Sequence, residues 1–188
     1  MANHETKVIT DSVHVLMAFQ RKKFNTGQGS KCMRQVVKDY KTDLDILTYR
    51  CRLARGNWRI HRTVNARDTQ KARLWLIHYL IDHPEASSEI DTLWRTALLQ
   101  PENAYGEKNW MLDIDTKEEK NLRQVEECVF PAGIHRIETH NGWHYITAPF
   151  DTRKLDTIPY KDSWITLIKD GYYYIRSVTD GRVDEPCD

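Results

Sequence analysis

Asn109-Trp110-Met111-Leu112-Asp113-Ile114-Asp115 closes an apolar run with two aspartates separated by a single isoleucine. On a β-strand, side chains at i and i+2 point to the same face. Asp113 and Asp115 therefore share one face, while Leu112 and Ile114 enter a core. Neighbouring carboxylates repel each other, and a cation between them relieves that repulsion. Oxygen ligands of this kind suit Mg²⁺ or Mn²⁺. The competing explanation is a pair of surface acids on an edge strand, or Asp115 as the N-cap of a helix starting at Thr116-Lys117-Glu118-Glu119. A cap accounts for Asp115 and leaves Asp113 unexplained. Further on, Gly142-Trp143-His144-Tyr145-Ile146-Thr147 reads as a second strand, which makes His144 available to the same site.

Outward from this stretch, residues 116–129 read as a charged helix with Leu122, Val125 and Val129 inward, ended by Pro131-Ala132-Gly133. Residues 134–139 and 143–148 read as strands joined at His140-Asn141-Gly142, and Asn-Gly is the strongest short hairpin signal. Residues 165–168 and 172–178 read as another hairpin around Lys169-Asp170-Gly171. Towards the N-terminus, residues 8–19 read as a helix, with a strand as the alternative. A loop at residues 25–30 leads to Ser30, a candidate cap for a helix over 31–40. Residues 46–53 and 58–64 read as a hairpin around Arg55-Gly56-Asn57. Asp68 or Thr69 caps the next helix, whose inward stripe is Leu74, Ile77, Leu80 and Ile81, and His83-Pro84 ends it. A shorter helix over 89–99 stops at Pro101. The pattern predicts an α+β fold: a mixed or antiparallel sheet with helices on one face, and an N-terminal helical and hairpin region. A division near Pro101 separates an N-terminal region (1–100) from a core carrying the acids and His144 (101–178) and a polar tail (179–188), all within one compact unit.

The 188 residues are 40% hydrophobic and 29% charged, enough to bury a core, and the formal net charge is +1. No global basic field draws such a chain to nucleic acid, so any nucleic-acid contact must come from a local patch. Cys32, Cys51, Cys128 and Cys187 lack the spacing of a zinc site and are expected as reduced thiols. The first ten residues lack the apolar core of a signal peptide, and no apolar run approaches the ~20 residues of a membrane span. A cytoplasmic protein with no membrane association is expected.

Phosphate-binding candidates cluster in Trp58-Arg59-Ile60-His61-Arg62-Thr63-Val64-Asn65-Ala66-Arg67-Asp68. Arginine recognises phosphate through a planar fork of donors. Arg62, Asn65 and Arg67 precede a helix start, a favourable place for an anion. The alternative is a solvated hairpin face. Lys169 is a further phosphate candidate and Asp170 a candidate third acid, although Asp-Gly in a turn needs no function. There is no phosphate-binding P-loop, no Gly-x-Gly-x-x-Gly and no Gly-x-Ser-x-Gly elbow.

A strand of apolar residues ending in Asp-x-Asp, then a helix, then a strand with a small-x-His element resembles the palm of the archaeo-eukaryotic primase (primase–polymerase) superfamily. The first motif is Met111-Leu112-Asp113-Ile114-Asp115, and the second ends at His144 with Gly142 in the small position. The resemblance covers roughly 109–175. The element Thr139-His140-Asn141-Gly142-Trp143-His144 is also similar to one in small uncharacterised bacteriophage proteins. The resemblance implies a palm-like, RRM-like sheet. It implies that Asp113 and Asp115 hold the metal, that His144 contacts a nucleotide triphosphate, and that these three are the catalytic residues. The family's third motif, an apolar residue followed by an acid, is met in Ile168-Lys169-Asp170 only with a lysine intervening; Asp151, Asp156 and Asp162 compete for that role. The expected function is Mg²⁺- or Mn²⁺-dependent nucleotidyl or phosphoryl transfer on a nucleotide or nucleic acid. The alternatives are a catalytically inactive nucleotide-, nucleic-acid- or protein-binding factor, such as a phage accessory protein acting in the host cytoplasm, and a metal-dependent nuclease or phosphatase. A two-histidine phosphoesterase fits less well: His61-Arg62-Thr63 supplies one His-x-Thr, but His144-Tyr145-Ile146-Thr147 carries an extra residue.

Overall fold

Val15, Leu16, Met17 and Ala18 are consecutive and all buried, which a strand achieves only when both of its faces are covered. In the computed structural model, which describes residues 12–20, 31–130, 132–179 and 182–184, this run is β1 (Ser12–Gln20), the middle of a larger sheet. The helix expected over 8–19 is therefore a strand from Ser12 onward. A continuous apolar run lacks the period that separates the two states. The helix expected over 31–40 is likewise a strand, β2 (Cys32–Val37), antiparallel to β1. Residues 46–53, expected as a strand, lie within helix α1 (Tyr40–Ala54). Its buried residues Leu44, Leu47, Thr48 and Cys51 follow helical spacing, and the Asp39 carboxylate caps it by accepting from the Thr42 N–H at 2.8 Å. Arg55 (φ 50°) and Gly56 (φ 92°) then turn the chain sharply. The expected hairpin of 46–53 with 58–64 is absent. Instead β3 (Asn57–Thr63) lies between β1 and β9 (Tyr172–Thr179).

The larger sheet has the order β10-β9-β3-β1-β2, with the two-residue β4 (Arg67–Asp68) also pairing β1 and β10 spanning Arg182–Asp184. Helix α1 covers one face through Leu44, Leu47 and Cys51 against Leu16, Ala18, Trp58, Ile60 and Val178. Helices α2 (Thr69–Asp82) and α3 (Ile90–Leu98) cover part of the other face, where Ala72, Ala97 and Leu98 pack on Val15 and Met17. Asp68 caps α2 as expected, accepting from the N–H groups of Gln70 and Lys71 at 2.9 Å. Its expected apolar stripe is a correction, however. Leu74, Ile77 and Ile81 are exposed, and the helix turns Thr69, Ala72, Trp75 and Leu76 inward, because the small Ala72 permits a close approach that a leucine stripe does not.

The smaller sheet, of order β6-β7-β5-β8, comprises β5 (Trp110–Ile114), β6 (His135–Glu138), β7 (Trp143–Thr147) and β8 (Ile165–Ile168). Helix α4 (Glu119–Val129) packs Val125 and Val129 on Leu112, Ile114 and Tyr145. Leu112 and Ile114 are fully buried there, each contributing roughly 1.5–3 kcal/mol. The helix begins later than expected, with Glu118 at its cap position, so Asp115 is not its N-cap. The β6–β7 hairpin forms as expected. The second expected hairpin does not: β8 pairs with β5, while β9 crosses to the larger sheet and pairs with β3. Lys169-Asp170-Gly171 thus links two sheets instead of closing a turn. The division near Pro101 separates the two sheets, except that β9 and β10 return to the first.

All strand pairs named here are antiparallel, so the architecture is α+β with antiparallel sheets. No helix among the described residues is long and apolar enough to cross a membrane. Cys32, Cys51 and Cys128 are unpaired. The expectations for residues 1–10, the 25–30 loop, Ser30, Cys187 and the end of the tail lie outside the described residues.

Within the smaller sheet, the buried Tyr145 hydroxyl donates to Glu126 at 2.8 Å, and Arg136 holds the same carboxylate at 2.8 Å. Burial and the neighbouring Glu126 carboxylate push the Tyr145 phenol up. Tyr145→Phe removes the donor and is expected to cost about 1–2 kcal/mol. Chemical denaturation measures this, and an unchanged midpoint would show the bond to be of no net value.

Candidate functional site in the cleft between the sheets

Strand alternation sends Leu112 and Ile114 toward α4, so Asp113 points the other way, toward the larger sheet. Asp113 lies directly opposite His144 in the β5–β7 register, and its Oδ1 is 3.3 Å from His144 Nε2. Asp113 is partly exposed, whereas the His144 ring is nearly buried. The other ring nitrogen is satisfied from across the cleft: the Tyr174 backbone N–H, on β9, donates to His144 Nδ1 at 3.1 Å. A backbone amide only donates, so Nδ1 bears no proton. Neutral His144 is therefore the Nε2–H tautomer, a donor toward Asp113 and toward anything placed beside it.

These residues line a cavity of about 230 Å³ between the two sheets. On the side of the smaller sheet are Asp113, Asp115 and His144, with Thr139, His140 and Asn141 from the β6–β7 turn. On the side of the larger sheet are Arg59 and His61 from β3, with Tyr172, Tyr174 and Ser177 from β9. The β3–β9 register shifts between Ile60 and His61. Such a bulge re-aims side chains. Here it brings Ser177 to the cleft side together with Tyr172 and Tyr174, while Ile175 and Val178 pack in the α1 core.

The β6–β7 turn can lie this close only because residue 142 is glycine. A Cβ there would collide with the Ile114 carbonyl oxygen and stand 2.8 Å from the Thr116 nitrogen. The Asn141-Gly142 signal therefore marks a hairpin, as expected, and also a backbone contact beside Asp115.

Asp113, Asp115 and His144 all line the cavity, but the expected phosphate ligands go elsewhere. The Arg62 guanidinium stands 5.0 Å over the Tyr40 ring, on the α1 side of the sheet. Arg67, 1% exposed, makes a two-pronged bond to Asp170 at 2.8 and 2.9 Å. Asn65 donates to Asp170 and to the Asn109 carbonyl, each at 3.1 Å. Lys169 lies 5.3 Å from the centre of the Trp110 ring. None of these four lines the cavity, and Asp170 is engaged by Arg67 and Asn65 instead of joining the other acids.

The chain matches no protein-family model, no curated protein and no solved structure.

Among the described residues, no group of three or more His, Cys, Asp or Glu is placed to hold a metal ion. Two carboxylates remain a workable set for Mg²⁺ or Mn²⁺, which keep several waters and are commonly bound by one or two carboxylates plus substrate phosphates. Arg59 and His61 had a sequence signal. With Thr63 they alternate with the buried Trp58 and Ile60 along β3, which places polar side chains on a face that is itself partly buried.

Burial, with the His144 ring nearby, pushes the His61 imidazole down to about 4 from its ordinary 6.5, although the Arg59 backbone pulls the other way. Burial and the Arg62 charge likewise bring His14 to about 4. His14 Nδ1 lies 3.0 Å from the Thr63 carbonyl oxygen. Both depressed values mean that the unfolded chain binds more protons between pH 6.5 and 4. Stability is then full above about pH 6.5 and falls as pH drops toward 4. His61 alone accounts for on the order of 3 kcal/mol, and the better-solvated His14 adds less. Denaturation midpoints measured from pH 7 to pH 4.5 should fall, with a shallower slope in His61→Gln. A flat profile would contradict the buried neutral imidazoles.

Proposed function

We propose that the cleft carries Mg²⁺- or Mn²⁺-dependent phosphoryl or nucleotidyl transfer on a nucleotide or nucleic acid, in the manner of a primase-like palm. The supporting observation is that Asp113 and Asp115 line one cavity between two sheets together with the tautomer-fixed His144, which lies against Asp113. A bound divalent cation supplies Lewis acidity and charge neutralisation at a phosphate. Asp113 and Asp115 hold it; neither carboxylate is deeply buried, so both remain open to solvent and substrate. His144 donates through Nε2–H to a phosphate oxygen next to the acids, and the Tyr174 amide holds the ring in that orientation. The cleft residues exclude bulk water from one side of the phosphate and leave its mouth open for the remainder of the substrate.

The test is an assay with a radiolabelled nucleoside triphosphate and single-stranded DNA in Mn²⁺. Label transfer or pyrophosphate release is expected, abolished by EDTA and reduced by on the order of 10²-fold or more in Asp113→Asn with an unchanged melting temperature. Full activity in Asp113→Asn would refute the assignment. Nucleotide bound but chemically unchanged, with binding that survives EDTA, would make the protein a binding factor without turnover.

A further inference from the structure

Two carboxylates on one wall repel a phosphate unless a cation lies between them, and the phosphate's outward oxygens then need donors from the opposite wall. That wall belongs to β3 and β9 of the larger sheet. Arg59 and His61 occupy alternate positions of β3, both line the cavity, and both face the acids across it. The His61 ring is held edge-on between Phe19 (5.6 Å between ring centres) and the Tyr174 ring (6.0 Å), so its position is fixed by packing. Its Nδ1 is buried and has no hydrogen-bond partner of good geometry among the described residues, a state that native folds seldom leave unexplained. Arg62 and Arg67, the arginines favoured by sequence, lie outside the cavity lining.

We propose that Arg59 and His61 form the phosphate-binding wall of the cleft, and that the cavity takes only the phosphate end of its substrate. This assignment rests on the transfer function proposed above and names the part of the substrate that the site grips. Arginine presents a fork suited to two oxygens of one phosphate, and the neutral His61 ring adds one donor. The size of the cavity limits what enters. At about 230 Å³ it is smaller than the ≈ 300–1,000 Å³ of pockets that enclose a whole drug-sized ligand. A chain of phosphates fits this description, with the nucleoside or the strand lying outside the cavity. Specificity for the base is then weak, and recognition of the phosphate chain is strong.

The test is calorimetric titration of the full chain with inorganic tripolyphosphate, with and without Mn²⁺, and with Mn²⁺ alone. The proteins compared are wild type, Arg59→Gln, Arg59→Lys and His61→Gln, each checked by thermal melting. Tripolyphosphate should bind wild type, and Arg59→Gln should weaken it at least tenfold while leaving the affinity for Mn²⁺ alone unchanged. Arg59→Lys should recover part of the loss, and His61→Gln should weaken binding several-fold. If His61→Gln does not fold, the Arg59 pair decides the matter. Equal tripolyphosphate affinity in wild type and Arg59→Gln would overturn the assignment, as would a wild type that binds none. Tripolyphosphate binding that needs no Mn²⁺ and is lost in Arg59→Gln, in a protein that never binds Mn²⁺, would uphold the phosphate wall and refute the metal-dependent function.

Discussion

Arg67→Ala should destabilise the protein by about 3–5 kcal/mol, the expected cost of leaving one member of a buried ion pair alone. Arg67 is 1% exposed and Asp170 is 11% exposed, and both terminal nitrogens of the guanidinium reach the carboxylate. Among the described residues, removing the arginine leaves the Asp170 charge with the hydrogen bond from Asn65 alone. The location raises the cost. Asp170 lies in the link where the chain passes from the smaller sheet to β9 of the larger one. Asn65 ties the same carboxylate to the start of β5, and the Val64 N–H donates to the Gly171 carbonyl at 2.9 Å. The pair therefore fastens together the two sheets whose facing surfaces form the cleft. Chemical denaturation of Arg67→Ala measures the loss. The double variant Arg67→Met/Asp170→Leu should recover most of it, since an apolar pair of similar volume leaves no orphaned charge. A loss below 1 kcal/mol in Arg67→Ala would show that water reaches and satisfies Asp170.

Gly142→Ala should damage stability and the site together. The added methyl group meets backbone atoms of Ile114 and Thr116, which cannot swing aside as a side chain does. The β6–β7 turn must lift from β5, at a cost of about 1–3 kcal/mol for forced overpacking. The turn carries His140 and Asn141, and β7 carries His144, so the displacement widens the gap between Asp113 and His144. Mn²⁺ and nucleotide affinity should fall at least several-fold at temperatures where the variant is still folded. Wild-type stability with wild-type affinity would contradict the close approach.

The legibility of the sequence differed sharply between the two halves of the chain. Strand β5 was readable because Leu112 and Ile114 alternate with Asp113 and Asp115, and one face of that sheet packs on a helix while the other borders a polar cleft. Alternation is the signature of a strand with two unlike faces. Strand β1 has two apolar faces, so Val15 through Ala18 show no period and pass equally for a helix. Helix α1 was hidden by the opposite effect. Ile46, Tyr49 and Leu53 are exposed, and they blur the helical spacing of Leu44, Leu47 and Cys51. Its capping residue Asp39 was the usable signal.

Pairing was less legible than element type. Residues on either side of Lys169-Asp170-Gly171 have strand composition and a turn between them, and a local hairpin is the default inference. The buried bond from Arg67 to Asp170 spans a large separation in sequence, so local spacing carries no trace of it. The same applies to the site. Asp113, Asp115 and His144 can be grouped from sequence because neighbouring strands of one sheet carry them. Arg59 and His61 come from a different sheet. Proximity to a helix start favours Arg62 over Arg59, yet the alternation along β3 turns Arg62 to the α1 side and Arg59 to the cleft.

Asp113 and Asp115 are proposed to hold a divalent cation jointly with a substrate phosphate. Calorimetric titration of Mn²⁺ into wild type and Asp113→Asn/Asp115→Asn, with and without a nucleoside triphosphate, tests it most directly. Mn²⁺ should bind wild type, bind more tightly when the triphosphate is present, and fail to bind the double variant. Absence of Mn²⁺ binding in wild type, or equal binding in both proteins, would contradict it.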